Sequence, residues 1–144
     1  MNQNYTVDAS VWVAAFLSAD VNHHSSRAAL AALLARRVIL PCPALVLTEV
    51  AAAVARNTDR QDLAVRAMEV VRDFPGLVMY VLDAPLSEEA ARLAAAQRLR
   101  GADATYVAVA ARAGAVLLTW DQEMHDRGAA AAQTLTPDIW LATP

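Results

Sequence analysis

The sequence predicts a three-layer α/β domain, with helices flanking a mostly parallel five-stranded sheet. Three observations carry that expectation. Short β-rich runs alternate with longer Ala- and Leu-rich segments of helical period. The β-rich runs hold Val, Ile, Leu and Tyr with little polar interruption, as strands buried on both faces do. The chain has 144 residues, 57% hydrophobic and 19% charged, which is enough to fill one core. Disorder and collagen-like architecture are excluded by the same figures. Without a linker, repeat or low-complexity tract, residues 1–144 are expected to form a single domain.

Strands are expected at Tyr5–Val7, Val38–Leu40, Leu77–Leu82, Val116–Thr119 and Thr134–Leu135. Ser26 is placed to cap a helix running to about Arg36, and Pro43 precedes another through Ala44–Arg56. Asp59 or Thr58 is expected to cap a third, ending before Pro75-Gly76. Ser87 begins a fourth, with Glu88 and Glu89 in the turn that the helix dipole favours for acids. A fifth runs from about Ala102 to Arg112 and stops at Gly114. The Ala129–Ala132 run reads as the turn into the last strand. Trp12, Phe16, Phe74 and Trp140 read as core or interface.

Twelve basic residues against fifteen acidic ones leave a net charge of −3, so nucleic acid is not gripped by bulk charge. Every basic residue is Arg, and the absence of Lys removes any mechanism that needs one. Cys42 is the only cysteine, which excludes an intrachain disulfide and thiolate zinc cages and fits a reducing cytoplasm. The opening MNQNYTVDAS lacks the basic and apolar regions of a signal peptide. No apolar run approaches the roughly 20 residues of a bilayer span. A soluble, cytoplasmic protein is therefore expected.

Four acids are placed where they invite chemistry. Asp8 ends the first strand and Asp121 follows the fourth, and ligands of open α/β sheets bind at the carboxyl ends of strands. Glu49 interrupts an apolar helix, and Asp103 stands at a helix start. Singly, each has a plain structural role available. An Asp after a strand is often a turn or cap residue, Asp103 is an acceptable N-cap, and Glu49 can be paired by an Arg. Among the four, only Asp103 has a basic residue three or four positions away, Arg100.

In the stretches Val7-Asp8-Ala9-Ser10-Val11, Leu47-Thr48-Glu49-Val50, Gly101-Ala102-Asp103-Ala104-Thr105-Tyr106-Val107-Ala108 and Leu118-Thr119-Trp120-Asp121, the chain resembles the PIN-domain nucleases. It is most similar to the VapC-type toxins of bacterial toxin–antitoxin pairs, over nearly its whole length. The resemblance implies a parallel sheet of order 3-2-1-4-5, which sets Asp8 and Asp121 on adjacent strands. It also implies a metal-dependent endoribonuclease that hydrolyses RNA through a metal-activated water and leaves 5′-phosphate ends. A small antitoxin whose C-terminal segment covers the site, and a homodimer, are further implications. Trp120 departs from the polar or charged residue usual in the family.

Elementary electrostatics agrees with a metal. Unit charges about 4 Å apart repel by roughly 1 kcal/mol in water and about 4 kcal/mol at a surface-like dielectric. A helix N-terminus returns only about 0.3–1 kcal/mol. Four clustered carboxylates therefore retain protons or bind a divalent cation, and hard oxygen donors suit Mg²⁺ or Mn²⁺. Asp8, Asp103 and Asp121 are the expected ligands, with Glu49 holding a second ion or orienting the attacking water. Ser10 and Thr119 are candidate hydrogen-bond donors to the acids. Asp126 and Glu123 are candidates to extend the cluster, and His23 and His24 candidates for ligation or proton transfer. Arg98, Arg100 and Arg127 are candidates for phosphate contact.

Two other readings stand beside the ribonuclease. Receiver domains and haloacid-dehalogenase phosphatases also place an Asp after the first strand, but both normally use a Lys, and the latter want a second Asp where this chain has Ser10. A non-catalytic PIN-fold module that binds RNA or a protein partner is the alternative from outside enzymology.

Overall fold

The computed structural model describes residues 2–144. In chain order the elements are β1 (Asn4–Val7), α1 (Ala9–Phe16), α2 (His23–Arg36), β2 (Leu40–Pro43), α3 (Val46–Thr58), α4 (Gln61–Arg72), β3 (Leu77–Tyr80), α5 (Ala84–Gln97), α6 (Gly101–Arg112), β4 (Ala115–Leu118), α7 (Gln122–Gly128), β5 (Thr134–Leu135) and α8 (Pro137–Ala142). This is the expected α/β architecture, and every strand pair is parallel. β4 lies between β1 and β5, with Val7 opposite Leu118, while β2 pairs with β3.

The remaining neighbours of the order 3-2-1-4-5, β2 and β1, form no ladder. The Tyr5 amide donates to the Ile39 carbonyl at 3.1 Å, and the Cys42 thiol donates to the Val7 carbonyl at 3.6 Å. The sequence of β2 explains the gap. Successive amides of a strand point to opposite sides. Leu40 and Ala44 donate to β3 and its flank, at Gly76 and Tyr80. The alternate positions facing β1 are Pro41 and Pro43, which have no N–H to give. The same prolines hide the strand, which is expected at Val38–Leu40 and lies at Leu40–Pro43.

Three helices carry no period in the sequence. α1 is apolar almost all round and has five buried residues of eight, so it shows no polar face. α7 and α8 have only seven and six residues. Several expected boundaries also move. Ser26 does not cap α2 but lies inside it, fully buried. Asp59 ends α3 in a left-handed conformation (φ 53°) instead of starting the next helix, and Arg60 occupies the N-cap of α4. α5 begins at Ala84 rather than Ser87, because the Asp83 carboxylate accepts from the Leu86 amide at 2.9 Å and Pro85 suits a first turn. Gly114 ends α6 as expected, at φ 59°.

The buried cluster centres on α6, in which every residue from Ala104 to Ala110 is buried, packed on β1, β2 and β4. Trp12 and Trp140 are core residues, meeting the half-buried Phe74 and the buried Tyr5 edge-on at 5.0 and 5.2 Å. No helix among the described residues is long and apolar enough to cross a membrane.

Candidate active site

All four acids emerge around the carboxyl ends of β1 and β4. Asp8 continues β1, its amide donating to the Leu118 carbonyl at 3.0 Å, and it occupies the N-cap of α1 without using its side chain to cap. The buried carboxylate instead accepts two hydroxyls, Ser10 Oγ at 2.6 Å and Thr119 Oγ1 at 2.9 Å. Both fall on Oδ2, leaving Oδ1 clear of them. The hydroxyls expected to support the acids therefore do so, and both also hold the backbone that leaves β4. Thr119 Oγ1 accepts the Asp121 amide at 2.9 Å, and Ser10 Oγ accepts the Trp120 amide at 3.1 Å.

Asp121 serves two purposes. Its Oδ1 caps α7 by accepting the Met124 amide at 2.8 Å, while Oδ2 accepts Arg100 Nη2 at 3.2 Å. Asp103 is not an N-cap; Arg100 holds that position, and Asp103 stands in the first turn of α6. Its Oδ2 accepts Arg100 Nε at 3.3 Å. One guanidinium thus bridges two acids. Arg100 is 69% exposed, against 13% for Asp103 and 28% for Asp121.

Glu49 is held from α6 by Tyr106, whose hydroxyl donates to Oε1 at 2.6 Å. Tyr106 is fully buried and lies three residues after Asp103, so both project from one face of α6. Sequence reasoning gives Tyr106 no role; that i, i+3 spacing from Asp103 is the signal that could have found it.

Burial is the main force on Asp8, Glu49 and Asp103. It raises Asp8 above its ordinary value; the Ser10 and Thr119 hydroxyls pull it back, and the charge of Glu49 adds to the rise. Burial also raises Glu49, opposed by Tyr106 and aided by Asp103. For Asp103, burial and then the charge of Asp121 raise the carboxyl, with Arg100 opposing and Asp8 assisting. The four acids therefore form one interacting group. Arg100 is raised in turn by Asp103, Asp121 and Glu123. Among the described residues, no three acid, imidazole or thiol groups converge closely enough to cage an ion as they stand. Two members of the quartet share a guanidinium instead.

The other candidates are engaged elsewhere. Asp126 is exposed and bonded by Gln122 and His125, and Glu123 pairs with Arg127 at 2.6 Å. Arg127 also donates to the Arg98 carbonyl, and Arg98 ends α5 in a left-handed conformation. His23 Nδ1 lies 2.9 Å from the Ala14 carbonyl, tying α2 to α1, and its ring meets that of His24 edge-on.

A PIN domain profile matches residues 5–130. The chain belongs to the PIN domain family. Solved structures share the PIN fold at low identity. VapC20 of Mycobacterium tuberculosis, a Sarcin-Ricin loop cleaving toxin, is 22% identical with a TM-score of 0.72, over 92% of this chain and 99% of that one. PAE2754 of Pyrobaculum aerophilum is 24% identical with a TM-score of 0.69, over 97% and 93%. A chain of VapBC2 from Rickettsia felis, solved on a DNA fragment from their promoter, is 14% identical with a TM-score of 0.70, over 93% and 98%. No curated protein matches the chain in sequence. Among the neighbours of this PIN domain are thus a VapC toxin and a toxin–antitoxin protein.

Proposed function

We propose that the chain is a divalent-metal-dependent endoribonuclease and the toxin of a type II toxin–antitoxin pair. The observation that carries the reading is the gathering of Asp8, Glu49, Asp103 and Asp121 about the carboxyl ends of the paired strands β1 and β4, each acid held by a hydrogen-bonding partner. Oxygen-only donors fit Mg²⁺ or Mn²⁺, and Asp8, Asp103 and Asp121 are the residues to hold the ion. When bound, it lowers the pKa of a coordinated water and polarises a phosphate oxygen.

The chain's own residues supply the rest. Ser10 and Thr119 fix the rotamer of Asp8 by loading Oδ2. Tyr106 fixes Glu49, which orients the attacking water and takes its proton. The water oxygen bonds to phosphorus as the bond to the 3′ oxygen breaks, and the 3′ oxygen takes a proton from solvent, leaving a 5′-phosphate and a 3′-hydroxyl. Arg100 leaves the acids and turns its charge toward the phosphate. A small antitoxin with an Arg-bearing segment suits the acidic site, and a homodimer fits the toxin reading.

One observation favours a second reading, a PIN-fold module that binds RNA or a partner without cutting it. Arg100 already bridges two of the acids. A single experiment separates the two. Labelled single-stranded RNA and duplex DNA are incubated with the protein in Mn²⁺ or EDTA, beside Asp8→Asn. Metal-dependent cleavage of RNA by the parent alone supports the ribonuclease. Intact RNA in every lane, with a melting temperature indifferent to Mn²⁺, supports the module.

A further inference from the structure

The acidic site opens on one side into a cleft of about 570 Å³, within the range of sites that enclose small ligands. Its walls are two helix faces. On α3, Glu49, Ala52, Ala53 and Arg56 recur at i, i+3, i+4 and i+7, a single stripe. On α1, Ala9, Ser10, Val13 and Ala14 face it. The small side chains along both stripes leave the space between the two faces unfilled, as a slot. Trp120 completes the lining. Its indole is held by Nε1 donating to the buried Ser26 Oγ at 2.8 Å, and its backbone by the amide donating to Ser10 Oγ at 3.1 Å. Ser26 thus has a purpose other than capping α2.

We propose that this cleft is a nucleotide subsite, in which the base of a residue flanking the cut stacks on Trp120. The inference rests on the ribonuclease reading and names where the substrate lies. Three parts of a nucleotide find matching chemistry. A planar face meets the fixed indole, and base–aromatic stacking is the general device for holding single strands. A polar base edge meets Asp20 and Asn22, which offer an acceptor and a donor. A phosphate meets Arg56, an exposed cation that makes no ion pair among the described residues. Continuity decides the occupant, because Ser10 and Glu49 belong to both the acid cluster and the cleft. A strand whose phosphate reaches the acids has its neighbouring base at the cleft mouth. An apolar peptide would leave Asp20, Glu49 and Arg56 without matching groups.

The test couples protein and substrate changes. A single-stranded oligoribonucleotide cut by the parent is resynthesised with one abasic position at a time beside the cut. For the parent, one abasic position should lower kcat/KM by roughly 5- to 150-fold, the range spanned by base–aromatic stacking. Trp120→Leu should lose a similar factor on the intact strand and be nearly indifferent to that abasic position, since the two changes delete one contact. Trp120→Phe should retain most of the effect. Ala52→Leu fills the slot from an exposed helix position without touching the indole, and should weaken the intact strand even if Trp120→Leu folds poorly. Independent, multiplicative losses, or an Ala52→Leu protein indistinguishable from the parent, would overturn the subsite. Where no RNA is cut at all, the same cycle is read as binding by fluorescence anisotropy. Coupling there keeps the subsite while the ribonuclease reading falls, and its absence removes both.

Discussion

Replacing Arg100 with Gln tests whether its guanidinium stands where a cation belongs. In EDTA the variant loses two contacts, to Asp103 at 3.3 Å and Asp121 at 3.2 Å. With the Arg side chain 69% exposed, each is discounted to the 0.2–1 kcal/mol of a solvent-screened pair, about 1 kcal/mol together. That corresponds to a melting temperature lower by about 2–6 °C. In Mn²⁺ the effect should reverse. A unit charge repels another by roughly 1 kcal/mol at 4 Å in water, so a guanidinium opposes a divalent ion by about 2 kcal/mol. At about 1.4 kcal/mol per tenfold, full relief is worth about 30-fold in affinity. An exposed Arg evades part of that repulsion by swinging outward, so Mn²⁺ should bind Arg100→Gln about 5- to 30-fold more tightly than the parent. Melting temperature against Mn²⁺ concentration, fitted by mass action, measures it. Arg92→Gln is the control, because it deletes the same charge from an exposed i, i+4 pair with Glu88. Equal or weaker Mn²⁺ affinity in Arg100→Gln, or an equal gain in Arg92→Gln, would refute the reasoning.

Asp8→Asn removes a buried charge whose ionisation burial opposes, and its amide oxygen can still accept Ser10 and Thr119; it should melt no lower than the parent in EDTA, lose the Mn²⁺ stabilisation, and lose about 100-fold or more in cleavage rate. Thr119→Val leaves the Asp121 amide and the Asp8 carboxylate each without one partner at constant shape, and should cost about 1–3 kcal/mol by denaturant unfolding. The pH dependence in EDTA has a definite sign. Asp8, Glu49 and Asp103 are all raised, so the folded state takes up protons before the unfolded state does. Stability should rise as pH falls through their raised values toward the ordinary carboxylate range near 4, and Mn²⁺ should abolish the rise. The lowered surface acids Asp62, Asp73, Asp126 and Asp138 act the other way, but only below that range. An EDTA melting profile that stays flat or falls all the way from neutral pH to the ordinary carboxylate range would contradict the shifts.

What the sequence revealed follows from the range over which each signal acts. β4 reads as a strand because all four residues are buried and apolar, and α6 stops at Gly114 because the left-handed turn there suits glycine. Both causes are local. β2 was misplaced by two residues because its prolines argue against a strand, and only β3 on its other side shows why a strand tolerates them. α1 was missed because a helix buried nearly all round has no polar face to set a period. The acids were legible as strand-end and helix-interior exceptions. Their partners were not, because Thr119 reaches Asp8 across 111 positions of sequence and Tyr106 reaches Glu49 across 57.

The same connections explain why the acids can be crowded at all. Asp8, Glu49 and Asp103 are opposed by burial and by neighbouring charge, yet each acid of the quartet is anchored by a hydrogen-bonding partner. Asp8 is tied to β4 through Thr119, Glu49 to the buried helix α6 through Tyr106, and Asp121 to the start of α7 through its cap. Asp103 is held by Arg100, the most exposed member of the group, which also reaches Asp121. Rigid anchors on three acids and a movable cation on the fourth place the flexibility where an incoming ion and phosphate would need it. Charge repulsion is thereby held in the fold, and on the ribonuclease reading proposed above a bound cation would relieve it.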